Sequence, residues 1–121
     1  MSYREELKKR TKIFAHQCVK LATMLPETVL GKHIRRQLIR AATSVAANYR
    51  SAGLAGSKPS FIAKLSIVIE EIDESEFWLE FITDENLLNK QQTHAVLKDA
   101  HELSSIFITS RHTLQKNLKH S

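Results

Sequence analysis

Apolar residues recur along this chain at steps of three, four and seven, the spacing of one face of an α-helix. The first stretch runs from about Ser2 to Leu25, with Leu7, Phe14, Cys18, Leu21 and Leu25 on one stripe. Pro26 ends it, because proline lacks an N–H and disfavours a helical residue before it. A second helix is expected from about Gly31 to Ala55, with Ile34, Leu38, Ala41, Val45 and Ala52 inward. At 1.5 Å per residue it would be about 36 Å long. Ser57-Lys58-Pro59 reads as a helix start, with Ser57 capping free N–H groups and Pro59 tolerated in the first turn. The third helix is expected to reach Thr83. Asp84-Glu85-Asn86 is polar and turn-like. A fourth helix follows from about Asn89 to Lys116, with Val96, Ala100, Leu103, Phe107, Leu114 and Leu118 on its stripe, and the tail from Asn117 is expected to fray.

Four long helices with short connections, and no strand alternation, predict an all-α fold. The architecture expected is an antiparallel up-down-up-down four-helix bundle, with residues 1–121 as one domain. The chain's 121 residues suffice for one sizeable core.

The third helix is apolar on two sides. Phe61, Leu65, Val68, Ile72 and Leu79 form one stripe, while Ile67, Phe77, Trp78 and Phe81 fall roughly opposite. A helix apolar on two sides is buried on two sides, so the second stripe is expected to be an oligomer interface. The second helix carries a polar stripe, Gln37, Arg40, Ser44 and Asn48, and the third offers Lys64, Glu71 and Glu74. These are expected to form a structural network, with Arg40 paired to Glu71 or Glu74 in a poorly hydrated place.

Charge sharpens this picture. The net charge is +5, but residues 1–58 carry +9 and residues 59–121 carry −4. Such asymmetry fits an anionic partner, head-to-tail self-association, or basic and acidic helices pairing within one chain. Lys32, Arg35, Arg36 and Arg50 on the second helix, with Lys8 and Lys12 on the first, are the candidate nucleic-acid-binding residues. Arg4, Lys9 and Arg10 add to that side. Phosphate contacts need only positive charge on a rigid element. Tyr49 alone on this face offers a ring for base stacking.

The chemistry of other classes is missing from the sequence. One cysteine, Cys18, allows no intrachain disulfide and no thiolate cluster, and its place on a stripe makes it a packed thiol. No Glu is followed by a His three residues later, as a bundle di-iron site requires. His94 and His101 are read as surface residues. There is no phosphate loop and no nucleophile elbow. The expectation is therefore no enzymatic activity, no metal, no cofactor and no small-molecule substrate. No apolar run is long enough to span a membrane and no signal peptide is visible, so the cytoplasm is the expected compartment.

The segment from Gln37 through Arg50 (QLIRAATSVAANYR), with Ser57, Phe61-Ile62-Ala63-Lys64-Leu65, Glu71-x-x-Glu74 and Phe77-Trp78-Leu79-Glu80, resembles a bacterial four-helix-bundle family. Its members are encoded in intervening sequences of 23S ribosomal RNA genes and are loosely called S23 ribosomal proteins. Arg10 through Ala15 and Leu25-Pro26 also fit, so the resemblance covers nearly the whole chain. It implies a left-handed up-down bundle assembled as a ring-like homopentamer, with RNA or DNA binding as the working function and no established catalysis. A related accessory protein of diversity-generating retroelements has the same build and binds nucleic acid and its reverse transcriptase. Ser51, Leu54 and Gly56 depart from the charged residues usual in the family, which removes charge from the turn between the second and third helices. The leading expectation is thus a non-catalytic RNA-binding oligomer. The alternative is an oligomeric scaffold whose basic face meets an acidic protein.

Overall fold

The computed structural model describes residues 2–119. Among them are four helices and no strand: α1 (Tyr3–Thr23), α2 (Val29–Ala52), α3 (Lys58–Asp84) and α4 (Lys90–Lys119). Each begins on a capping side chain. Ser2, Thr28 and Ser57 accept from the N–H of Glu5, Gly31 and Ser60, and Asn89 accepts from Gln91. A cap of this kind contributes about 1 kcal/mol.

The bounds of α2 and α4 differ from the periodic reading. α2 begins at Val29, two residues before Gly31, because Thr28 supplies the cap that an apolar pattern does not reveal. It ends at Ala52 with Gly53 as its C-cap. α4 continues through Asn117 to Lys119. The rest of the tail expected to fray, His120 and Ser121, lies outside the described residues. Between α3 and α4, Asn86 takes a left-handed conformation with φ 54°, which asparagine tolerates better than most residues. The Leu87 N–H then reaches back to the Ile82 carbonyl at 3.0 Å, closing the α3 end.

α2 packs against α1 and α3, α4 packs against α3, and a thinner seam joins α1 to α4. This packing is consistent with a bundle. The expected stripes form its core: Phe14, Cys18, Ile34, Leu38, Val45, Leu65, Val68, Ile72, Leu79, Leu103 and Phe107 are buried in one cluster. Phe61, Leu114 and Leu118 lie only half-buried, at positions where the core gives way to the surface. No helix is long and apolar enough to cross a membrane.

Candidate nucleic-acid interface

The expected basic residues are spread along the length of α2 and α1. Lys32 and Arg36 stand exposed near the start of α2, and Arg50 stands exposed near its end. Eighteen residues of helix put about 27 Å between Lys32 and Arg50. Lys8 and Lys12 are exposed one turn apart on α1. Of these, Lys8 and Arg50 share a surface pocket of about 340 Å³ with Arg4, Glu5, Tyr49, Gly53, Leu54 and Phe61. Among the described residues, none of Arg4, Lys8, Arg50, Lys12, Lys32 or Arg36 makes an ion pair.

Arg35 departs from the expected role. The sequence makes it a candidate for nucleic-acid binding at the flank of the basic side of α2. Its guanidinium instead folds over the end of α1, donating to the Ala22 carbonyl at 3.2 Å and the Leu25 carbonyl at 2.8 Å. It also meets the Glu27 carboxylate at 2.5 Å, and this bond holds the Glu27 carboxyl below the usual range. Its charge is already committed inside the chain.

A second pocket of about 600 Å³ adjoins the first and shares Arg4, Tyr49 and Phe61 with it. It draws on the start of α1, the end of α2, the start of α3 and the C-terminal part of α4. Tyr49, expected as a surface ring, is a core residue with its ring 5.1 Å from that of Phe107. Burial pushes its phenol pKa up, against the pull of Arg4 nearby. The accessible aromatics are others. Tyr3 is exposed and Phe61 half-buried, and the Arg4 guanidinium lies 4.9 Å from the Phe61 ring centroid, a cation–π distance. Phe61 belongs to the expected core stripe, and only the juxtaposition of the α1 and α3 starts brings it beside Tyr3 and Arg4, so no local signal reveals the grouping.

The expected polar network forms only in part. Arg40 bridges Glu71, at 3.3 Å, and Glu74. It does so in partly hydrated surroundings, since the Arg40 side chain is 48% exposed and Glu71 20%. The Asn48 amide turns back to the Ser44 carbonyl within α2 at 2.9 Å. Gln37 and Lys64 are half-buried and make no hydrogen bond among the described residues. Arg40 is thus the residue of the α2 stripe that reaches α3, while Asn48 stays within its own helix because a short amide reaches its own turn first.

The charge asymmetry is partly resolved inside the chain, by Arg40 on the α3 carboxylates and by Arg10 on Glu102 at 3.2 Å. Ile67 (38% exposed) and Phe77 (52% exposed) lie on the surface. Trp78 and Phe81 are half-buried beside them, and Trp78 packs edge-on against His33 of α2 and Phe77. The Trp78 indole N–H is buried without an acceptor. Cys18 is fully buried, and burial, aided by Asp99, pushes its thiol pKa far up, so it stays protonated.

One grouping of potential metal ligands occurs among the described residues. Glu76 and Glu80 of α3 and His101 of α4 bring ligand atoms within 4.8 Å of one another. The nearer pair, His101 Nδ1 and Glu76 Oε2, is 3.9 Å apart. His94 and His101, considered together from sequence, are both exposed; it is the α3 carboxylates, not His94, that face His101.

The fold has a close counterpart in the 1.70 Å crystal structure of a protein of unknown function from the S23 ribosomal protein family of Bacteroides thetaiotaomicron. The two chains are 30% identical with a TM-score of 0.79, and the match covers 87% of this chain and 97% of the other. No curated protein matches the chain. The family model for 23S rRNA-intervening sequence proteins matches residues 5–109, from the first turn of α1 well into α4. With its four helices and that match over most of its length, this chain belongs to the 23S rRNA-intervening sequence protein family.

Proposed function

We propose that this protein is a non-catalytic RNA-binding module, linked to ribosomal RNA, working in the cytoplasm as an antiparallel bundle that self-associates. The observation that carries the binding reading is the cluster of Arg4, Lys8 and Arg50 around one pocket, free of ion pairs and opposed there only by Glu5. Cations held on rigid helices and left unneutralised are what phosphate contacts require. The exposed Phe77 and Ile67, with Trp78 beside them, support self-association through the outer side of α3. A homopentamer is the assembly that the family resemblance implies, and a ring would repeat the cationic cluster so that weak contacts add.

The test is a fluorescence-anisotropy titration with RNA at two salt concentrations. Binding should weaken with salt, the log–log slope rising by about 0.7 for each single-strand phosphate neutralised. Lys8→Glu with Arg50→Glu should abolish binding without changing the melting temperature. Lys32→Glu with Arg36→Glu, at the far end of α2, should weaken it less. Equal binding by wild type and the Lys8/Arg50 variant would remove this cluster from the mechanism. No binding by wild type at low salt would favour an acidic protein partner instead.

A further inference from the structure

The larger pocket carries chemistry that phosphate binding does not use. Its floor is apolar, built from Leu65, Phe107 and the buried Tyr49. Its α4 wall presents three hydroxyls, Thr109, Ser110 and Thr113, none of which makes a hydrogen bond among the described residues. At the edge shared with the smaller pocket, the Arg4 guanidinium lies over the half-buried Phe61 ring. A volume of about 600 Å³ lies in the range of small-molecule sites.

A ligand suited to this place has an apolar flat face, polar edges and a negative charge just outside. We propose that the pocket receives one unstacked nucleobase of single-stranded RNA, with the flanking phosphates on Arg4, Lys8 and Arg50. This rests on the RNA-binding reading above and gives it a ligand class. The base would stack on the Phe61–Arg4 pair and turn its edge to the α4 hydroxyls. Hydroxyls both donate and accept, so the pocket tolerates more than one base. Duplex RNA cannot enter, because its bases are paired and stacked.

Gly56 supplies a clean test. It lines the pocket, a Cβ added there meets nothing within 4 Å, and its φ is not positive. Position 56 therefore accepts a Cβ without strain, and Gly56→Trp is used to set a ring beside the pocket without changing charge. The probes are a single-stranded RNA carrying 2-aminopurine and a hairpin duplex RNA. Wild type should bind the single strand more tightly and change the 2-aminopurine fluorescence. Gly56→Trp should lower single-strand affinity roughly tenfold, the loss of one stacked base, and remove the fluorescence change. Duplex affinity and salt slope should stay as in wild type. Thr113→Val, which keeps the side chain's shape, should weaken the single strand severalfold and decides the matter if Gly56→Trp fails to fold. If both variants bind and report like wild type while Lys8→Glu with Arg50→Glu abolishes binding, the base pocket is wrong and the RNA reading stands. If wild type binds neither RNA at low salt, both are wrong.

Discussion

The Arg35 guanidinium, on the second turn of α2, donates to the Leu25 carbonyl beyond the end of α1 at 2.8 Å. It also donates to the Ala22 carbonyl, which the Leu25 N–H meets at 3.2 Å as well, and its charge complements the negative end of the α1 dipole. Arg35 and Arg36, both candidates for nucleic-acid binding, are thereby split. Arg35→Ala is expected to cost about 1.5–3 kcal/mol, the range for hydrogen bonds to a charged group. Arg36→Ala should leave stability unchanged. Thermal melts followed by circular dichroism distinguish them, and equal melting temperatures would show that the Arg35 contacts are not formed in solution.

Gly31 is required by its neighbour Pro26. A Cβ at position 31 would overlap the Pro26 carbonyl oxygen and stand 3.0 Å from its carbon and 3.1 Å from Thr28 Oγ1. These are backbone atoms and the cap itself, so nothing nearby yields easily. Gly→Ala inside a helix normally gains up to about 1 kcal/mol. Here the sign should reverse, with a loss of about 1–3 kcal/mol from overpacking and a displaced cap. Urea denaturation of Gly31→Ala beside Gly56→Ala, where space is open, checks this. A stabilised Gly31→Ala would show that the α1–α2 connection relaxes freely.

The bridge from Arg40 to Glu71 and Glu74 is only partly buried. Losing one partner of a fully buried pair costs about 3–5 kcal/mol, but exposed pairs are worth about 0.2–1 kcal/mol. Arg40→Ala should fall near 1 kcal/mol. A double-mutant cycle with Glu74→Ala should show a coupling that shrinks in high salt. Coupling insensitive to salt would place the pair in a drier environment than its exposure indicates.

Trp78 joins α3 to His33 of α2, with ring centroids 5.5 Å apart. Being half-buried, it should lose less on truncation than the 3–5 kcal/mol of a fully buried aromatic, about 2–3 kcal/mol for Trp78→Ala. Its unpaired indole N–H adds a different expectation. Trp78→Phe keeps a ring and deletes the orphan donor, so it should cost under about 1 kcal/mol. Chemical denaturation of both variants, with light scattering to follow the mass, separates packing from assembly. Equal losses in the two would refute the packing account.

Burial raises the Glu76 pKa above the ordinary glutamate value, against the opposing pull of His101, while Asp73 and Glu80 push it further up. The folded state therefore holds this proton more tightly than the unfolded state. The stability it contributes is fully present below the unfolded pKa of about 4.3 and is lost as pH rises through the folded pKa. Glu76→Gln, which cannot ionise, should raise the melting temperature at neutral pH and leave it nearly unchanged at acid pH. A gain of the same size at both would point to a cause other than ionisation.

Residue order alone determined the helices and their inward faces. Leu7, Phe14, Cys18 and Leu21, or Leu65, Val68, Ile72 and Leu79, are buried as their spacing requires, because a helix repeats every 3.6 residues wherever it sits. Ser57 as a cap is equally local, because its hydroxyl accepts a free N–H of the turn that follows it in the chain. The meeting of helix ends was decided only by the tertiary structure. Arg50 is far in sequence from Arg4 and Lys8 yet shares a pocket with them, while Lys32 on the same helix lies outside it. Likewise Arg35 finds carbonyls on α1, and Gly31 finds Pro26. Long side chains and chain turns choose their partners from whatever the packed helices bring within a few ångströms. A one-dimensional periodicity specifies which face turns inward; it carries no information about which residues of separate helices stand at the same height.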